Sequence, residues 1–162
     1  MSVDADALDA HDAPMAQALA EARAALEHGD VPVGAVVVHS GRIIGRGHNQ
    51  KERLRDPTAH AEMLAITAAT AARGDWRLTG CTLYATLEPC AMCAGAMVLA
   101  RIDRLVFGTA DPKTGACGSV YNLVADPTAN HQIVVTRGIL EFECGAVLQA
   151  FFARQRDLGK KG

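Results

Sequence analysis

CTLYATLEPCAMCAGAMVLAR, residues 81–101, changes its period halfway along. From Cys81 to Thr86 the side chains alternate, with Cys81, Leu83 and Ala85 on one face and Thr82, Tyr84 and Thr86 on the other, the pattern of a strand. Beyond Pro89, which cannot extend a ladder, Ala91 to Arg101 reads as an apolar helix. A strand that hands over directly to a helix belongs to an α/β chain, and the flanks repeat the theme. Leu105 to Gly108 is a further strand, and Thr58 to Arg73 is a helix ahead of the quoted stretch.

Working outward, Val33–His39 and Arg42–His48 are short runs separated by Ser40-Gly41, a dipeptide suited to a hairpin. Upstream, Asp12 can cap and Pro14 can open a helix to about His28, which Gly29-Asp30 ends. Downstream, Val120–Val124 is ambiguous, Gln132–Thr136 reads as a strand, and Ile139 to about Gln155 as a closing helix. The expectation is a sheet joined by helical crossovers.

With 162 residues, 49% hydrophobic and 21% charged, the chain has the size and composition of one globular domain. No apolar stretch approaches the ~20 residues of a membrane helix, and Met1 to Asp12 lacks a secretory signal core, so no membrane partner and a cytoplasmic location are expected. Five unevenly spaced cysteines fit reduced thiols and a metal better than a disulfide framework. Net charge is −2, but Asp4, Asp6, Asp9 and Asp12 lie in a first dozen residues that contain no Lys or Arg. Residues 1–12 therefore read as an acidic, disordered tail, and 13–162 as a single domain.

Two segments carry chemistry: His60-Ala61-Glu62 and Pro89-Cys90-Ala91-Met92-Cys93. Both sit at expected helix starts. Cysteines three apart on a helix share a face, and first-turn N–H groups stabilise thiolates, so Cys90 and Cys93 can bind one ion with His60 as third ligand. Two thiolates and an imidazole favour Zn²⁺, one per chain, and three ligands leave the fourth position for water, the catalytic arrangement. Such a zinc site sums to no net charge, so its water needs a nearby base, and Glu62 is placed to be that base. A structural site closed by His48, His131 or Cys117 is the plainer alternative; Cys81 and Cys144 read as core thiols.

His-x-Glu followed by Pro-Cys-x-x-Cys is the signature of zinc nucleobase deaminases. The flanking segments resemble a narrower group, the bacterial tRNA-specific adenosine deaminases. These segments are Val31-Pro32-Val33-Gly34-Ala35-Val36, Asp56-Pro57-Thr58-Ala59-His60-Ala61-Glu62, Thr86-Leu87-Glu88-Pro89-Cys90 through Met97, and Asp111-Pro112-Lys113-Thr114-Gly115. The likeness runs from about Pro14 to Arg156. It implies a cytidine deaminase-like fold, a three-layer α/β/α sandwich around a five-stranded mixed sheet, and a homodimer with active sites near the subunit interface.

The same resemblance implies that His60, Cys90 and Cys93 hold zinc, that Glu62 shuttles protons while an activated water attacks C6 of the wobble adenosine in a tRNA anticodon loop, and that ammonia leaves. Asn49 would recognise the flipped base, and Asp111 and Lys113 would line the nucleic-acid channel. In the reaction so read, a backbone N–H near Ala61 or Cys90 is expected to help hold the water and base. On its residues alone, Asn49 serves equally as a turn cap, and Lys51, Arg53 and Arg55 as a solvated loop. Phe151 and Phe152, whose plainer reading is core packing, precede Arg154, Arg156, Lys160 and Lys161, opposed only by Asp157; with an RNA substrate Phe151 and Arg154 are expected to meet it. Two rival readings stand beside this one: a deaminase of a free base or nucleotide such as guanine, cytosine or deoxycytidylate, and a non-catalytic RNA-binding protein with structural zinc.

Overall fold

The computed structural model describes residues 5–160, with side chains from residue 9 onward. Its strands are β1 (Gly34–His39), β2 (Arg42–His48), β3 (Cys81–Leu87), β4 (Arg104–Thr109) and β5 (Val134–Arg137). They form one five-stranded sheet in the order β2-β1-β3-β4-β5. The β1/β2 hairpin turns through Ser40 and Gly41, both with positive φ, and β1 also runs antiparallel to β3. The β3/β4 and β4/β5 pairs are parallel, so the expected mixed sheet is present. Helices α1 (Ala5–Ala25), α2 (Lys51–Leu54), α3 (Ala61–Arg73), α4 (Ala91–Leu99) and α5 (Glu141–Asp157) complete the chain.

Strand alternation sorts the core into two layers. Val36, Tyr84 and Val106 face α1 and α5, where they pack with Met15, Ala18, Leu19, Ala22 and Cys144. Ala35, Val37, Leu83, Ala85, Leu105 and Phe107 face the other way, toward Ala61, Ala65 and Ala69 of α3 and Ala94 and Met97 of α4. Phe107 and Leu105 are fully buried, each worth roughly 1.5–3 kcal/mol relative to exposure. Helices on both faces of the sheet make the three-layer sandwich.

The small residues of α3 have a purpose. Beneath that helix β2 offers Gly45 and Gly47, and a Cβ on Gly47 would collide with the Ala61 carbonyl oxygen, one on Gly45 with that of Ala65. Backbone lies on backbone here, which fixes how far the start of α3 stands from the sheet.

Several boundaries differ from the expected ones. Helix α1 begins at Ala5, ahead of Asp12, so Pro14 sits inside it and not at its first turn. A long-range hydrogen bond between His11 Nδ1 and Tyr84 Oη (2.8 Å) pins the turn before Pro14 to β3, a tertiary contact that overrides the local start signal. Asp4, at the chain start, lies outside the described residues, as does Lys161. Ile139 and Leu140 precede α5, with Leu140 as its N-cap at φ 51°. The ambiguous Val120–Val124 joins no sheet; it runs into a 3₁₀ turn, Leu123–Ala125, after an isolated bridge between Cys117 and Asn122. Among the described residues no helix is long and apolar enough to cross a membrane.

Replacing Gly47 with Ala forces α3 off the sheet. We expect a loss of about 3 kcal/mol or more, read from chemical denaturation, with a weakened metal site because His60 moves with the helix.

Candidate active site

Helices α3 and α4 start side by side, and each is led by a ligand-type residue. His60 is the N-cap of α3 (φ −77°, ψ 152°) and Cys90 the N-cap of α4 (φ −75°, ψ 177°). Neither side chain caps its own helix; both turn to a common point, which Cys93 reaches from the first turn of α4. His60 Nδ1 lies 3.5 Å from Cys90 Sγ and 3.6 Å from Cys93 Sγ. Zinc bonds of about 2.3 Å to sulfur and 2.0–2.1 Å to nitrogen, set at a tetrahedral angle, separate such a nitrogen and sulfur by roughly 3.6 Å. The three residues therefore fit a zinc ion, bound through Nδ1 of His60.

Protonation follows the geometry. Hydrogen bonding from Cys93 lowers the pKa of Cys90 to about 4 against the effect of burial, with His60 assisting. Cys93 is pushed up by its bond to Cys90 and by burial, its single S–H being shared between Cys90 and Glu62 Oε2, the latter at 3.0 Å. His60 is raised, chiefly by its bond to Cys90. A carboxylate 4% exposed, Glu62 is raised mainly by burial, which prepares it to accept a proton. No fourth ligand joins the group among the described residues. His48 Nδ1 pairs with Glu21 Oε2 at 3.1 Å, His131 Nε2 with the Ile102 carbonyl at 2.6 Å, and Cys117 is buried beside the Pro89 carbonyl. Cys81 and Cys144 are core thiols, and all five cysteines are free.

Above the ligands opens a cleft lined by Val31, Asn49, Lys51, Ala61, Glu88, Asp111 and Thr114 as well as by His60, Glu62 and Cys90. On one lip the Asn49 amide is oriented by its Nδ2 donating to the Val31 carbonyl and its Oδ1 accepting from Lys51 N–H, both at 3.2 Å. On the other lip Asp111 makes an Asx-type turn, its carboxylate accepting from the N–H groups of Lys113 and Thr114 and from the Thr114 hydroxyl. Lys113 lines an adjoining groove with Phe152. Phe152, Gln155, Arg156 and Lys160 continue that groove. Phe151 borders a depression shared with Asn49, Lys51 and Lys160, whereas Arg154 lies in a separate groove against Leu26 and Val147.

Two buried acids go unannounced by local sequence signals. Asp30, which reads as part of a helix stop, is fully buried and accepts from the N–H groups of Glu52 (2.7 Å) and Arg53 (3.2 Å), capping α2 from far along the chain. Glu88 is also buried, and burial alone would raise its carboxyl. Hydrogen bonds from Ser119, Asp111 and Cys117 nevertheless hold it below the ordinary value. Glu88 stands in the Thr86–Met97 stretch that carries the family likeness, but its position between an apolar strand and a Pro-Cys pair says nothing of these partners.

Residues 8–109 match the family pattern of the cytidine and deoxycytidylate deaminase zinc-binding region. A tRNA-specific adenosine deaminase of Bacillus subtilis is 53% identical over 147 residues, 91% of this chain and 89% of that protein. The chain belongs to the tRNA-specific adenosine deaminase family. These deaminases are hydrolytic enzymes with a zinc-binding domain, and His60, Cys90 and Cys93 are the group that can hold the ion here. A solved structure from work on A-to-I editing by tRNA:A34 deaminases superposes with a TM-score of 0.80 at 47% identity, covering 83% of this chain and 98% of that one. A guanine deaminase from Nitrosomonas europaea superposes at 0.77 with 28% identity, covering 88% and 84%.

Metal analysis of single variants checks the ligand set. Cys93→Ala and His60→Ala should lose most of the zinc, while Cys117→Ala should keep one ion per chain, since its sulfur stands outside the group.

Proposed function

We propose that this enzyme converts adenosine to inosine at the wobble position of a tRNA anticodon loop. One observation carries the reading: the cleft over His60, Cys90, Cys93 and Glu62 is continuous, through Asp111 and Thr114, with a groove bearing Lys113 and Phe152, beyond which lie Arg156 and Lys160. A free base needs only the cleft. A base flipped from an RNA strand needs the cleft for itself and cationic and aromatic groups for its neighbours. The B. subtilis relative and the tRNA:A34 deaminase structure support this choice over the guanine deaminase likeness.

Held by His60, Cys90 and Cys93, zinc would supply a water made nucleophilic at neutral pH. With Cys93 ligating as thiolate, Glu62 Oε2 no longer receives its proton and is free for the reaction. Glu62 takes a proton from the water as the C6–O bond forms and delivers it to N1 of the purine. It then carries the second proton to the departing amino group as the C6–N bond breaks, so that adenosine and water become inosine and ammonia. Burial favours this role, because a carboxylate poorly solvated when charged accepts and returns protons readily. The Asn49 amide, fixed by Val31 and Lys51, keeps one Nδ2 hydrogen and one Oδ1 lone pair for the edge of the base.

The five free thiols suit a cytoplasmic setting. Leu54, Leu99 and Tyr121, at 51%, 70% and 55% exposure, lie on or next to the elements that build the site, and a second copy of the chain would cover them as a homodimer.

Purified protein should form inosine and release ammonia on an anticodon stem-loop, with little turnover of free adenosine, cytidine or guanine. Strong turnover of a free base and none of the stem-loop would overturn the reading. Glu62→Ala should keep its zinc and its RNA affinity while turnover falls by about 10²–10⁴. Gln at Lys113, Arg156 and Lys160 together should flatten the dependence of log K on log salt by about 0.7 for each phosphate no longer neutralised.

A further inference from the structure

Glu88 lines the cleft beside Cys90, yet the deamination chemistry does not use it. Its oxygens are fully engaged. Oε1 accepts from Asp111 N–H (3.1 Å) and from the Ser119 hydroxyl, and Oε2 from the N–H groups of Cys117 (3.0 Å) and Ser119 (3.1 Å). A carboxylate offers about four lone-pair sites, so none is left for a substrate. All the donors belong to one loop, the one that forms the Asp111 lip. That loop rests directly on the carboxylate, since a Cβ on Gly115 would collide with it, and Ala116 N–H adds a bond to the Pro89 carbonyl at 2.9 Å.

The turn is cross-tied from within. Asp111 commits its own carboxylate to Lys113 and Thr114, and its carbonyl accepts from Gly115 N–H at 3.0 Å. A shift at Asp111 N–H is therefore passed on to Lys113 and Thr114, the groups that face the cleft and its groove. We propose that Glu88 is a positioning residue. It fastens the Asp111–Gly115 turn at a fixed height above Cys90, and so governs how well nucleic acid is held and not how fast the amino group leaves. This role rests on the RNA substrate proposed for the same site.

Glu88→Gln tests it with almost no change of shape. An amide keeps one accepting oxygen. Left on the Oε2 side, that oxygen still serves Cys117 and Ser119; the Ser119 hydroxyl can rotate to accept from the new NH₂, and Asp111 N–H alone loses its partner. Ser119→Ala is the milder second variant. With zinc-loaded protein and an anticodon stem-loop, Glu88→Gln should raise KM about tenfold, the weight of a bond to a charged acceptor. By contrast kcat should stay within about threefold and zinc at one per chain, the signature of weakened binding with the chemistry intact. Amide exchange across residues 111–119 should quicken at least about tenfold. Ser119→Ala should move KM and exchange in the same sense by less, and it decides the matter if Glu88→Gln does not fold. An unchanged KM, or a fall in kcat that tracks zinc loss, overturns the inference. Wild-type protein that edits no stem-loop overturns the substrate reading before any variant is made, whereas unchanged exchange in the variants overturns the positioning role whatever the substrate.

Discussion

Backbone contact between α3 and β2 sets the height of His60. Gly45 and Gly47 let the carbonyls of Ala65 and Ala61 come closer than any side chain would allow, and the helix that results begins where α4 begins. Only then can an imidazole from one N-terminus and two sulfurs from another share a point with N···S separations of 3.5 and 3.6 Å. Parallel pairing of β3 with β4 contributes the second half of this alignment, because the strand that leads, three residues on, to Cys90 is held between β1 and β4 at the centre of the sheet. The precision of the site is thus a property of the sandwich, with loops adding the lips.

Two buried carboxylates, Glu62 and Glu88, line the cleft, a third, Asp30, lies behind its Asn49 lip, and their surroundings differ. Glu62 has one thiol as its side-chain partner and a pKa raised mainly by burial, which agrees with the proton-carrying role proposed for it. Glu88 is surrounded by donors and stays ionised, the condition of an anchor. Asp30 caps the four-residue α2, a segment too short to hold its own shape without tertiary support. What sets Glu62 apart from Glu88 and Asp30 is the number of N–H groups from other residues that reach its carboxylate.

Local signals in the sequence carry most of the fold and the metal group. Alternation along Cys81–Thr86 and Val33–His39, the Ser40-Gly41 turn and the change of period at Pro89 are short-range, and each element they announce is present. His60, Cys90 and Cys93 are legible for the same reason, since a helix start fixes the spacing of its own ligands. What the sequence conceals depends on long-range partners. Pro14 reads as a helix start until Tyr84 meets His11; Asp30 and Glu88 bond to N–H groups 22 or more residues away. Phe151, Phe152, Arg154 and Arg156 form one undivided run in the sequence, and only the rotation of α5 in the sandwich puts Phe152 and Arg156 on the Lys113 side and Arg154 on another.

The two lips are tied to separate acids, Asp30 on the Asn49–Lys51 side and Glu88 on the Asp111–Thr114 side, and each lip also bonds by backbone to the residue before a ligand, Gln50 N–H to the Ala59 carbonyl and Ala116 N–H to the Pro89 carbonyl. Because the ties run through backbone, side chains that project from either lip can change the shape of the entrance while the backbone that carries His60, Cys90 and Cys93 keeps its place.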